Sequence, residues 1–130
     1  MQEKQYIEID NNSNKFYFKA KAMTLFHRLD GPAIEYASGY KIWYVDGKLH
    51  RLDGPAVEGA GGRKEWWVDG KCHRLDGPAV EGADGRKAWF VDGKYLSEQE
   101  FNTLSEPLEL TLEDIAAKFG VDVSKLKIVK

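Results

Sequence analysis

The sequence predicts a mainly β fold, assembled from repeated antiparallel β-hairpins and closed by a small C-terminal α/β cap. The heptapeptide HRLDGPA begins at His27, His50 and His73, which divides the central chain into units 27–49, 50–72 and 73–95 with a constant period of 23 residues. The second and third units agree at 19 of 23 positions and the first and second at 16 of 23, far beyond chance. Each unit also holds a β-prone aromatic segment followed by Asp-Gly, the pair that suits a two-residue hairpin because both turn residues must take positive φ. Gly and Pro recur every few residues, which argues against helix throughout this region.

Residues 1–26 read as an N-terminal cap. Tyr6-Ile7-Glu8-Ile9 alternates as a strand does, Asp10 to Asn14 is a turn cluster, and Lys15-Phe16-Tyr17-Phe18-Lys19 forms the second arm of a diverged hairpin. Lys15, Lys19 and Lys21 would protect the sheet edge. Within a unit, Lys64-Glu65-Trp66-Trp67-Val68 reads as a strand, Asp69-Gly70 as the turn, and Lys71-Cys72-His73-Arg74 as the return. Leu75-Asp76-Gly77-Pro78 interrupts pairing, and Ala79-Val80-Glu81 resumes it. Strand alternation puts Trp43, Trp66 and Trp89 on one face with Val45, Val68 and Val91, assigned here to the core.

The repeat stops at Leu96, where a fourth His would fall. Ser97-Glu98-Gln99-Glu100 is a capping box, so a short helix follows with Phe101 and Leu104 facing inward. Residues 96–130 read as the cap: Leu108-Glu109-Leu110 as a strand, Thr111 as the cap of a helix carrying Leu112, Ile115, Ala116 and Phe119, Gly120 as its stop, and Leu126 to Val129 as a last strand.

Composition narrows the function classes. The chain has 130 residues with 42% hydrophobic and 31% charged, ordinary values for a soluble globular protein. A net charge of −2 lacks the basic footprint of a protein that lives on nucleic acid or anionic lipid. With Cys72 alone no intrachain disulfide forms, and MQEKQYIEID is not a signal peptide, so a cytoplasmic protein without a transmembrane segment is expected.

A 23-residue unit with an aromatic strand, an x-Asp-Gly-Lys turn and a His-starting return resembles the MORN repeat, through its period, its W-x-x-D/N-G-K-x-H core and its turn glycines. The resemblance covers 27–95. HRLDGPA departs from the family's usual H-G-x-G, and the variant HR-x-DGPA-x-E looks like repeats in phage and giant-virus proteins. The resemblance implies a hairpin solenoid forming one twisted antiparallel sheet. It also suggests a small phage accessory protein that acts in the host cytoplasm on a host factor or defence system. The stretch TLEDIAAKFGVDVSKLK is similar in its I-A-x-x-F-G-V core to helix-turn-helix proteins and to the LysM module. Residues 96–130 carry four positive and seven negative charges, the wrong sign for a DNA backbone.

The leading functional expectation is a non-catalytic protein-binding module. Tyr44, Trp67 and Phe90, with Ile42 and Glu65, lie on the strand face opposite the tryptophan–valine set and form an aromatic stripe able to hold a protein partner. Arg28, Arg51 and Arg74, with Arg63 and Arg86, are the alternative, an anion-binding row for acidic lipid or nucleic acid. Each unit is neutral, which favours arginine pairing to Asp or Glu within the sheet. His27, His50 and His73 stand about 9.5 Å apart if each unit adds two strands, too far to share a zinc. No repeated nucleophile accompanies the His-Asp pairs, so no catalytic residue, metal or cofactor is assigned. Homodimerisation through sheet edges stays open.

Overall fold

The computed structural model describes residues 4–21 and 23–105. It is mainly β, with thirteen short antiparallel strands and one helix among the described residues. The N-terminal hairpin pairs β1 (Tyr6–Ile9) with β2 (Lys15–Phe18), and Asp10 closes its turn through hydrogen bonds from the Asn12 and Asn14 amides. The first unit then contributes β3 (Ile34–Glu35), β4 (Lys41–Ile42), β5 (Tyr44–Val45) and β6 (Lys48–Leu49). The second contributes β7 (Val57–Glu58), β8 (Lys64–Glu65), β9 (Trp67–Val68) and β10 (Lys71–Cys72). The third contributes β11 (Val80–Glu81), β12 (Lys87–Val91) and β13 (Lys94–Leu96), and α1 (Glu98–Ser105) follows.

Each unit therefore makes two hairpins. The wide one, such as β3–β4, joins a nine-stranded sheet of order β1-β2-β3-β4-β7-β8-β11-β12-β13. The tight ones, β5–β6 and β9–β10, form separate two-stranded ladders. Their turns have φ of 51° and 75° at Asp46 and Gly47, 50° and 78° at Asp69 and Gly70, and 52° and 80° at Asp92 and Gly93, the left-handed pair expected from Asp-Gly. Successive tight hairpins are tied by backbone bonds at the same offset: Gly70 N–H to Leu49 C=O (2.8 Å) and Gly93 N–H to Cys72 C=O (2.9 Å).

The sequence reads each aromatic segment as an unbroken strand, but Trp43 and Trp66 break it. Trp43 donates its amide to Ala56 C=O (2.7 Å) in the next unit and accepts from the His50 amide (3.2 Å). Trp66 does the same with Ala79 and His73 (2.7 and 2.9 Å). The residue bonds in two directions and pivots the chain from one hairpin to the other. Trp89 pairs directly with Leu96, and β12 runs straight through it.

The core also differs from the expected one. The tryptophans and Val45, Val68 and Val91 are only half-buried. The fully enclosed residues are Ala33, Ala56 and Ala79, each 0% exposed, joined by Ile34, Val57, Tyr17, Phe18, Cys72 and Phe101. The alanines follow the Gly-Pro bend and are closed off from solvent. Phe18 stacks on Phe26 (5.1 Å between centroids), which meets Tyr44 at 5.4 Å.

At the C-terminal end Ser97 and Glu100 make a reciprocal capping box, each amide bonded to the other's side chain at 3.1 Å. Phe101 turns inward against Trp89, whereas Leu104, expected inside, is 65% exposed. Lys15 lies on β2, which is paired on both sides, so among the described residues the N-terminal edge of the sheet is β1, with Ile7 and Ile9 exposed. The strand and helix assignments over 108–129 lie outside the described residues.

Cys72 is buried at the end of β10, and burial, then the Glu65 charge, pushes its thiol up to about 11. Native protein at pH 8 should react with a thiol reagent at least about tenfold more slowly than protein unfolded in guanidinium. Equal rates, read as thiolate release at 412 nm, would show that the tight hairpins open freely.

Candidate functional site: the arginine loops and tryptophan grooves

The segment His-Arg-Leu-Asp-Gly-Pro-Ala leaves the tight hairpin and enters the next wide one, where ladder pairing lapses. The arginine compensates. Arg51 Nε donates to Asp53 Oδ1 (2.9 Å), and its Nη1 donates to Pro55 C=O (3.0 Å) and to Glu58 Oε1 (3.2 Å). Its guanidinium lies 3.9 Å above the Trp43 ring of the preceding unit. Arg74 repeats this with Asp76 (2.8 Å), Pro78 (3.0 Å), Glu81 (3.7 Å) and Trp66 (3.8 Å). Arg28 binds Asp30, Pro32 and Glu35, but lies over Tyr17 at 4.0 Å. Each arginine thus joins a cation–π stack to a bent loop and a strand carboxylate.

The loop glycine is a requirement of this arrangement. A Cβ at Gly31, Gly54 or Gly77 would lie 2.9 Å from the guanidinium carbon of Arg28, Arg51 or Arg74. The histidines serve the neighbouring tight turns: Nδ1 of His27, His50 and His73 accepts the amides of Asp46, Asp69 and Asp92 at 2.9, 3.0 and 2.8 Å. A ring committed this way acts as a turn acceptor.

Between consecutive loops lie two equivalent grooves. One, of about 630 Å³, is floored by Trp43 and Val45 and flanked by the loops that carry Leu29 and Leu52. The other, of about 620 Å³, is floored by Trp66 and Val68 and flanked by those of Leu52 and Leu75. Leu29, Leu52 and Leu75 are 69%, 80% and 65% exposed. Sequence reading passed over these leucines. Their signal was present: an apolar residue fixed between Arg and Asp in a loop has no strand neighbour to cover it.

The aromatic stripe lies elsewhere. Tyr44, Trp67, Phe90, Ile42 and Glu65 are all half-buried. Tyr44 packs on Phe26, and burial raises its phenol above the usual value. Phe90 meets Tyr95 edge-on at 5.6 Å. Trp67 donates its indole N–H to Glu65 (3.1 Å), which also binds Arg63 (3.0 Å). Trp67 and Phe90 share a shallow hollow of about 320 Å³ with Cys72 and Val80. Of the five arginines, Arg28, Arg51 and Arg74 are engaged internally with side chains 20% exposed, while Arg63 and Arg86 pair with Glu65 and Asp84 at the wide turns. Among the described residues no group of three or more His, Cys, Asp or Glu is placed to hold a metal ion, and no helix is long and apolar enough to cross a membrane.

Comparison with protein-family models, curated proteins and solved structures yields no match.

Gly77→Ala should destabilise the fold by about 1–3 kcal/mol by pushing Arg74 off Trp66. In an Arg74→Ala background the same change should cost far less, so a double-mutant cycle from urea titrations gives strong coupling. Additive effects would show that the glycine serves the backbone alone.

The loop carboxylates also set an acid limit. Hydrogen bonds and charge from Arg51 and Arg74 hold Asp53 and Asp76 below the usual carboxylate range. A carboxyl depressed in the folded state contributes stability above its unfolded pKa of about 3.9, and that stability is lost as pH falls through the folded value. Urea midpoints should therefore hold from pH 7 to about pH 5 and drop below pH 4. Asp53→Asn/Asp76→Asn should have a shallower acid slope, and an unchanged slope would remove these pairs from the account.

Proposed function

We propose that the protein is a non-catalytic binding module whose loop face holds a protein partner. The observation that carries the reading is the row Leu29, Leu52 and Leu75, each well exposed beside grooves floored by half-buried tryptophans. A row of solvent-exposed leucines beside an aromatic floor fits an apolar interaction surface. The 23-residue period and recurring hairpins support reading the array as a MORN-like solenoid. With it comes the proposal of a phage accessory protein that modulates a host factor. The internal bonding of Arg28, Arg51 and Arg74 weighs against the lipid or nucleic-acid alternative.

The test compares capture from bacterial lysate by wild type, by Leu29→Ser/Leu52→Ser/Leu75→Ser and by Tyr44→Ser/Trp67→Ser/Phe90→Ser, with circular dichroism to establish folding. The leucine variant should fold as wild type and lose at least about nine-tenths of the captured protein. Capture unchanged in the leucine variant and lost in a folded aromatic variant would move the site to Tyr44, Trp67 and Phe90.

A further inference from the structure

We infer that the occupant of the loop face is a proline-rich segment in the polyproline II conformation, with an apolar residue at every third position and a basic residue beside them. This rests on the binding-module reading and names the chemistry of its partner.

Spacing supplies the first argument. Register runs straight across the sheet: Ile34 pairs with Ile42, Ile42 with Val57, Val57 with Glu65, and Glu65 with Val80. Equivalent points of successive units are therefore two inter-strand spacings apart, about 9.4–9.8 Å. A polyproline II helix advances about 9.3 Å in one three-residue turn, so every third side chain returns to the same side at the groove interval. An extended β-strand returns to one side at about 6.6 Å or 13 Å, out of phase with the grooves. An α-helix laid the same way returns to one side at about 5.4 Å or 10.8 Å, a poorer match to the groove interval.

Chemistry supplies the second. Each groove is lined by Trp43 with Val45 or Trp66 with Val68, one face of each indole lying under Arg51 or Arg74, and polyproline II ligands dock on aromatic-lined grooves. Charge supplies the third. The arginine side chains are 20% exposed, while those of Asp30, Asp53 and Asp76 are 85–87% exposed, so the rim that meets solvent is acidic. Leu52 flanks both grooves, whereas Leu29 and Leu75 each flank one.

The probe is acetyl-Lys-Leu-Pro-Pro-Leu-Pro-Pro-Leu-Lys-amide, titrated into full-length ¹⁵N-labelled protein while the indole N–H signals are followed. Its control has the same composition with the leucines contiguous, acetyl-Lys-Pro-Pro-Leu-Leu-Leu-Pro-Pro-Lys-amide. The expected result is saturable movement of the Trp43 and Trp66 indoles, with the control at least about tenfold weaker. Leu52→Ser should weaken the probe at least about tenfold, the scale of one buried leucine. Leu29→Ser should remove mainly the Trp43 response, and Leu75→Ser mainly that of Trp66. No saturation, equal affinity for the two peptides, or movement confined to Trp67 would overturn the inference. If leucine-dependent capture from lysate persists while the probe fails, the loop face remains the binding surface and only the polyproline II occupant falls. If both fail, the binding reading falls with it.

Discussion

The fold depends on an arginine lying across the aromatic ring of the unit before it. Arg51 over Trp43 and Arg74 over Trp66 each fasten one unit to the next while binding an Asp and a proline carbonyl of their own loop and a Glu of the strand that follows it. The loop has no ladder there, and without the guanidinium its bent backbone would have only solvent to bond. Gly is required beneath the guanidinium because a Cβ would collide with it. Ala is required after the bend because the site is closed on all sides. The Arg, Asp, Gly, Pro and Ala of HRLDGPA are thus parts of a single device.

The same interaction explains the ends. At the N-terminal side Tyr17 takes the tryptophan's place: its amide bonds Ala33 C=O, its carbonyl accepts from the His27 amide, and its ring lies under Arg28. The hairpin of β1 and β2 is therefore a diverged first unit, with a longer return between Phe18 and Phe26. At the other side Ser97 occupies the arginine position and begins a helix, and Phe101 comes against Trp89 in place of a cation. An aromatic ring left over at each junction is covered by whatever the chain supplies next. This also accounts for β12 being the longest strand of the three units, since Trp89 has no following loop to bond.

Much of this was legible in the sequence. Period, hairpin turns and capping box followed from Asp-Gly geometry and from the Ser-x-x-Glu spacing, all local properties. Arginine pairing to carboxylate followed from unit neutrality. The core was less legible, because alternation assumes an unbroken strand, and Trp43 and Trp66 instead bond in two directions at a pivot. Alternation placed Tyr44, Trp67 and Phe90 on one face without saying what covers it, and for Tyr44 part of the cover is Phe26 from the N-terminal segment. Leu52 was passed over although its place between Arg and Asp in a loop was a signal; that the interior side is filled by the guanidinium, which turns it outward, is a tertiary fact.

That last point bears on why the leucines face solvent. The interior side of each loop is taken by a guanidinium held by three acceptors and one ring, so no room remains for the side chain between Arg and Asp. Exposure at Leu29, Leu52 and Leu75 is thus imposed by the device that joins the units. Units one and two differ at seven of 23 positions, among them the wide turn and the strand faces, yet each carries leucine here. Ser or Lys would meet the same solvent at no packing cost, so internal packing gives no reason for leucine at these points. A ligand laid along the loops would, because each leucine would then be buried against it, once per unit, in phase with the spacing that the arginines set.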